Sequence, residues 1–278
     1  MKYKYKIVVD SSSNLLPGFI DDPEVGFEVV PLKIRIDGKD FTDNKDGDVK
    51  EMLAAFHAAK WRPFTSCPSP QDYIDAYQDA ENVIAVTISS KMSGSFNSAY
   101  VASVGLEGVK VHVVDSKATS GNMILIVEKA YALIKEGKSF EEIENEIEAY
   151  AESLKLFFLL DSFETLQKAG RINPIVAFIA GAVGIKAICQ ADERGEIKLF
   201  KKAHTMKKAL LTLAADLGEV ITKPEEKTCI ISFVEDDTIA KKLKENIAAL
   251  YHFKEIRLVP DRLLCSFYSL EGGIIVSF

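Results

Sequence analysis

Residues that break structure are scarce in this 278-residue sequence, and so are the patterns that announce common chemistries. It holds 16 glycines and 9 prolines, a combined share below the ordinary ~12%. No serine, glutamine or charge tract is present, so disorder is excluded as the organising theme. The four cysteines, Cys67, Cys189, Cys229 and Cys265, lie far apart without a CxxC pair, which reads as a reduced, cytoplasmic thiol set. No HExxH, GxGxxG or Walker loop occurs, leaving metal hydrolysis, dinucleotide chemistry and NTP cleavage without support and no cofactor expected. Positive charge is short as well: 34 Lys and Arg against 41 Asp and Glu give a net charge of −7. The positives are scattered, so no field draws in a polyanion, and nucleic acid is not an expected partner.

Long hydrophobic runs are also missing. The amino-terminal apolar stretch is only Ile7 to Val9 before Asp10, short of the ~7–15 residues of a signal peptide core. The longest uncharged apolar stretch, PIVAFIAGAVGI at 174–185, is too short for the ~18–20 residues that span a bilayer, so no transmembrane segment is expected. Protein, or something the protein binds, must bury it.

What is present is a core-forming composition, 47% apolar and 27% charged, in a chain longer than the ~100–200 residues of a typical domain. Two domains are expected. Short β-branched runs at Ile7–Val9, Val83–Ile88 and Val109–Val114 alternate with amphipathic helical stretches, the pattern of parallel βαβ units. One helix begins at Ser139, with Glu142 completing a capping box. After a fourth strand at Phe157–Leu160 the texture changes to a strand pair flanking Glu193-Arg194-Gly195, helices on Met206–Leu217 and Ile239–Leu250, and strands at Cys229–Val234, Ile256–Val259 and Gly273–Phe278. The fold class expected is α/β: an amino-terminal α/β domain, 1–160, with a mainly parallel sheet, and a carboxyl-terminal α+β domain, 161–278, with a mixed sheet. Residues 35–48, RIDGKDFTDNKDGD, fail as an EF-hand because Leu53 falls where the bidentate Glu belongs; turns at Asp37-Gly38 and Asp46-Gly47 make a solvated hairpin the expectation.

Three predicted strands run into small polar clusters: Asp10-Ser11-Ser12-Ser13, Ser89-Ser90-Lys91-Met92-Ser93-Gly94-Ser95, and Asp115-Ser116-Lys117. Ligands of open parallel sheets bind outside the strands' carboxyl ends, and a fourth cluster, Thr65-Ser66-Cys67-Pro68-Ser69, precedes a helix. Each cluster alone also reads as capping and turn chemistry. Together they suit one anionic group, carboxylate or phosphate, with the helix start at Ser93-Gly94 adding attraction. Arg171, next to the apolar stretch, supplies a cation, and that neighbourhood suits an amphiphilic anion better than a sugar phosphate. Ser93 lacks the flanking glycines of a nucleophile elbow, and none of the four histidines stands in a motif with a serine.

These residues resemble the DegV family of bacterial fatty-acid-binding proteins over the whole chain. Asp10-Ser11-Ser12 resembles its opening DS(S/T), Thr65 to Ser69 its TSxPS, Ile88 to Ser95 its ISSxxSGT, Asp115 to Gly121 its DS(K/L)xxSxG, and Leu166 to Ile172 its LxxGGRI. Ala169 replaces the first glycine of GGRI, Met123 stands where a further glycine is common, Lys186-Ala187 replaces a Lys-Pro, and Tyr268 occupies the position of a family histidine. The resemblance implies a lipid-binding protein, not an enzyme, that holds a long-chain fatty acid such as palmitate, stearate or oleate between two domains and presents it to a separate ATP-dependent fatty acid kinase. It implies ligand contacts at Thr65, Ser66, Ser93, Gly94, Arg171 and Tyr268, within a site lined also by Asp10, Ser11, Ser89, Ser90, Asp115 and Ser116. Ile175, Phe178 and Ile179 are expected as tunnel wall, and the protein as a cytoplasmic monomer. The alternatives are a serine-dependent acyl hydrolase using Ser93 and a binder of another small anionic metabolite.

Overall fold

The computed structural model describes residues 2–174, 176, 178, 182 and 184–278. The three β-branched runs form strands β1 (Tyr3–Asp10), β6 (Ala80–Thr87) and β7 (Lys110–Asp115), joined by β2 (Val25–Val30) in a parallel sheet of order β2-β1-β6-β7. Between β2 and β6 come β3 (Lys33–Ile36), β4 (Lys39–Thr42), helix α1 (Val49–Ala58), β5 (Phe64–Ser66) and α2 (Pro70–Tyr77). The helix α3 (Ser95–Val104) connects β6 to β7, and α4 (Gly121–Lys135) and α5 (Phe140–Ser153) follow. Ser139 caps α5 in the capping box with Glu142 that the spacing predicts, satisfying amides a helix start otherwise leaves unpaired.

The second sheet has six strands in the order β10-β9-β8-β13-β11-β12. They are β8 (Leu156–Leu159), β9 (Lys186–Ala191), β10 (Ile197–Ala203), β11 (Thr228–Phe233), β12 (Glu255–Pro260) and β13 (Ile274–Ser277), with α6 (Glu164–Ala169) after β8. The helices α7 (Met206–Asp216), α8 (Thr238–Ala248) and α9 (Leu263–Ser269) complete this half. All pairings are antiparallel except β11 with β12, so the mixed sheet expected of the second half is present. β8 pairs with β13 and β9; the change of sheet therefore falls before Leu156, although the texture of the sequence changes only after Leu160.

The helix α4 packs against β1 and β6 of the first sheet and against β11 and β13 of the second. It buries Met123, Ile124, Leu125, Ile126 and Val127 in succession, so its first half has no polar face from which a period could be read. At 1.5–3 kcal/mol for each fully buried aliphatic side chain, these residues join the halves strongly.

The 35–48 segment departs from the solvated hairpin expected of it. β3 and β4 do turn at Asp37-Gly38, both with positive φ, the two-residue turn that matches strand twist. However, β5 adds a third strand, giving the order β4-β3-β5, and Ile34, Ile36 and Phe41 are buried. Asp43 is buried as well: its carboxylate accepts the amides of Leu263 at 3.1 Å and Leu264 at 3.2 Å. The hairpin thus caps the first turn of α9, a helix from the far end of the chain.

Candidate functional site

A cavity of about 250 Å³ lies between the two sheets. One face of β8 supplies Leu156 and Phe158, and Leu160 continues the row just beyond the strand. Alternate residues share a face because the strand period is two. Ile88, Leu166, Ile197 and Ile275 add to a lining that is mostly apolar.

Polar groups gather at one end. Thr65 on β5 and Tyr268 on α9 approach with Oγ1 and OH 2.9 Å apart, and Ser66, Cys67, Ser93 and Gly94 line the same space. Ser93 Oγ accepts the amide of Ser95 at 3.2 Å, at the start of α3. Arg171 arrives through the end of α6: Gly170 takes φ +71°, and the amides of Gly170 and Arg171 close back on Gln167 and Leu166, the left-handed stop glycine permits. The Arg171 guanidinium donates to the carbonyls of Met92 at 2.7 Å and Ala169 at 2.8 Å. No carboxylate pairs with it among the described residues, so its charge is available to an anion. The six residues predicted as ligand contacts, Thr65, Ser66, Ser93, Gly94, Arg171 and Tyr268, all line this one cavity.

Of the other strand-end residues, Lys117 lines the cavity, whereas those predicted as site lining serve the loops instead. Asp10 is fully buried and accepts from the amides of Ser12 and Ile88 and from the hydroxyl of Ser95, which meets Tyr73 OH at 2.7 Å. Ser11 Oγ accepts the Leu32 amide at 3.0 Å, Asp115 accepts the amides of Ser90 and Lys117, and Ser116 Oγ donates to Ala118. Ser89 Oγ donates to the Gly195 carbonyl at 2.9 Å, joining the β6 loop to the β9–β10 turn. Asp10, Ser11, Ser89, Ser90, Asp115 and Ser116 thus hold the loops in place rather than line the cavity, which is the turn-and-cap reading of those motifs.

The expected tunnel wall fares differently. Ile175 and Ile179 lie outside the described residues. Phe178 is 81% exposed and does not line the cavity; among the described residues the apolar wall is built largely from β8, β10 and β13. The row at 156–160 gave no alternating signal because both faces of β8 are buried, which makes the run uniformly apolar.

Sequence reasoning also missed Thr119 and Cys265, which line the cavity. Thr119 donates to the Ser12 carbonyl at 3.1 Å and meets Cys265 Sγ at 3.6 Å. Behind them is a buried polar knot: Asn14 donates to Asp261 at 2.7 Å and accepts the Arg262 amide at 2.8 Å. Burial pushes the Asp43 carboxyl up to about 6 and that of Asp261 up to about 7. Among the described residues there is no cluster able to ligate a metal and no helix long and apolar enough to cross a membrane.

Comparison with known proteins converges on one family. The DegV family model, described as "Uncharacterised protein, DegV family", matches residues 4–276. A DegV domain-containing protein of Streptococcus pyogenes serotype M1 is 33% identical over 281 residues, covering 99% of both chains. The crystal structure of the Streptococcus pneumoniae Fatty Acid Kinase (Fak) B3 protein loaded with linoleic acid superposes with a TM-score of 0.92 at 32% identity over 99% of each chain. That of a DegV family protein from Eubacterium eligens loaded with heptadecanoic acid gives 0.90 at 34% identity over 98% of each.

Proposed function

Because this chain belongs to the DegV family, we propose that it binds one long-chain fatty acid in the cavity between its two halves and presents it to a fatty acid kinase. The observation that carries this is the pairing of an apolar cavity with a single polar end built from Thr65, Ser93, Tyr268 and Arg171. Hydroxyl donors and one cation suit a carboxylate. The acyl chain supplies most of the affinity, at ~0.8 kcal/mol per buried methylene. Relatives at more than 30% identity were crystallised with linoleic and heptadecanoic acids, which supports the same ligand class here.

The protein acts as a carrier rather than a catalyst. No histidine lines the cavity among the described residues: His57 pairs with Glu271, and His112 with Glu144 and Glu148. Ser93 therefore has no general base, and the hydrolase reading gains no support. The four cysteines are unpaired thiols, which supports a reducing, cytoplasmic setting.

The test is native mass spectrometry and lipid extraction of the protein purified from its cells, followed by titration of the delipidated protein with palmitate and oleate. A retained fatty acid and saturable binding are expected. Neither retention nor binding would sink the proposal.

A further inference from the structure

On the far side of the cavity from Arg171 lies a second, polar cleft of about 840 Å³. The two spaces share Lys117, Leu156 and Ala191 as wall. Their order along the sheet is fixed by register. Leu160 leads into α6 and Arg171, whereas Leu156 opens the strand roughly 13 Å away at ~3.3 Å per residue. Gln190 pairs with Phe157, and Ala191 with Ile197, so Leu156, Ala191 and Ile197 mark the same, distal end. An acyl chain anchored at Arg171 points its terminal carbon at the cleft.

The cleft is furnished for a polar group. Asn122 is 3% exposed, lines it, and has an Oδ1 with no hydrogen-bond partner among the described residues. A buried acceptor in that state calls for a donor. Lys155 and Arg194, also in the lining, form no salt bridge among the described residues, whereas Lys117 pairs with Glu152 at 3.4 Å. Acceptor and cations thus line, together with the carboxylates of Glu152, Asp192 and Glu193, a cleft that shares its wall with the acyl cavity.

We infer that the site takes long-chain fatty acids carrying a polar group at the ω-end, an ω-hydroxyl received by Asn122 or an ω-carboxylate received by Lys155 and Arg194, with Lys117 and Leu156 giving way to let that end through. This rests on the fatty-acid reading above and narrows its ligand class. An ordinary apolar tunnel penalises a buried, unpaired hydroxyl by roughly five- to a hundredfold in affinity; here the partner is in place.

The experiment titrates the delipidated full chain with palmitate, stearate and the ω-hydroxy and α,ω-dicarboxylic derivatives of each. At one of the two lengths, both derivatives are expected to bind within about threefold of the parent acid. Asn122→Leu should cut ω-hydroxy affinity about tenfold, and Arg194→Ala, on an exposed turn that tolerates substitution, should do the same for the dicarboxylate; the parent acids should be unaffected. Derivatives binding roughly tenfold or more below their parents, or variants that treat all ligands alike, would overturn the inference while leaving fatty-acid binding intact. Failure of palmitate and stearate themselves would remove both.

Discussion

Tyr268 OH and Thr65 Oγ1 meet at 2.9 Å across 203 residues of sequence, tying helix α9 to the three-stranded sheet at the polar end of the cavity. Of these two hydroxyls one donates to the other, which leaves a single proton to offer an acceptor in the cavity. Tyr268→Phe removes one hydroxyl and should weaken palmitate binding about three- to tenfold, the ordinary worth of one hydrogen bond, without lowering the melting temperature. Calorimetric titration of the delipidated protein, with Thr65→Val and the double variant, measures it. If the two substitutions add without coupling, the hydroxyls act separately and the pair has no shared ligand.

Arg171 is the cation of the proposed head-group site. Arg171→Ala should reduce fatty-acid affinity by roughly tenfold or more, the scale of a charge-assisted contact, and Ser93→Ala by less. Circular dichroism should show both variants folded, since Arg171 is exposed and, among the described residues, donates only to backbone carbonyls. Unchanged affinity in both places the carboxylate elsewhere.

Asp10 behaves in the opposite way. Its substitution by alanine strands the amides of Ser12 and Ile88 in a dry interior, at a cost of about 2–4 kcal/mol. Urea denaturation should show that loss. A variant of wild-type stability with impaired binding would return Asp10 to the ligand site.

Asp43 and Asp261 set a pH dependence. Their carboxyls ionise at about 6 and about 7 in the fold, above the ordinary 3.8 of the unfolded chain. Between those limits the folded state holds more protons, so stability falls as pH rises. The contribution of both groups is fully present below about pH 4 and lost by about pH 8. Asp261→Asn stays neutral throughout and should flatten that part of the profile. Urea midpoints across the range test it: a profile as steep in the variant as in wild type assigns the dependence to other groups.

Much of this was legible in the sequence, and the failures share a cause. The β-branched runs of β1, β6 and β7 and the Ser139 cap declared themselves locally. So did the polar end of the cavity, because hydroxyl motifs and a glycine before Arg171 mark loops. What stayed hidden is buried on every side. Residues 123–127 of α4 and the 156–160 row are apolar throughout, so neither 3.6 nor 2 emerges as a period there. The roles of Asp10 and Asp43 depend on partners far along the chain, and the same Asp-Ser spelling serves a ligand or a backbone amide. Phe178 misled because an apolar stretch beside a cation suggested a wall, whereas its own side chain is exposed.

The grip of Asp43 on the amides of Leu263 and Leu264 spans some 220 residues and puts the binding site at the end of a timetable. During synthesis the first sheet can assemble while the wall carrying Cys265 and Tyr268 has yet to leave the ribosome. Closing so long a loop is slow, so the nascent protein passes through a stage in which its cavity is an open apolar trough. Under the proposed function, a fatty acid present at that stage meets an apolar surface before the pocket around it is complete.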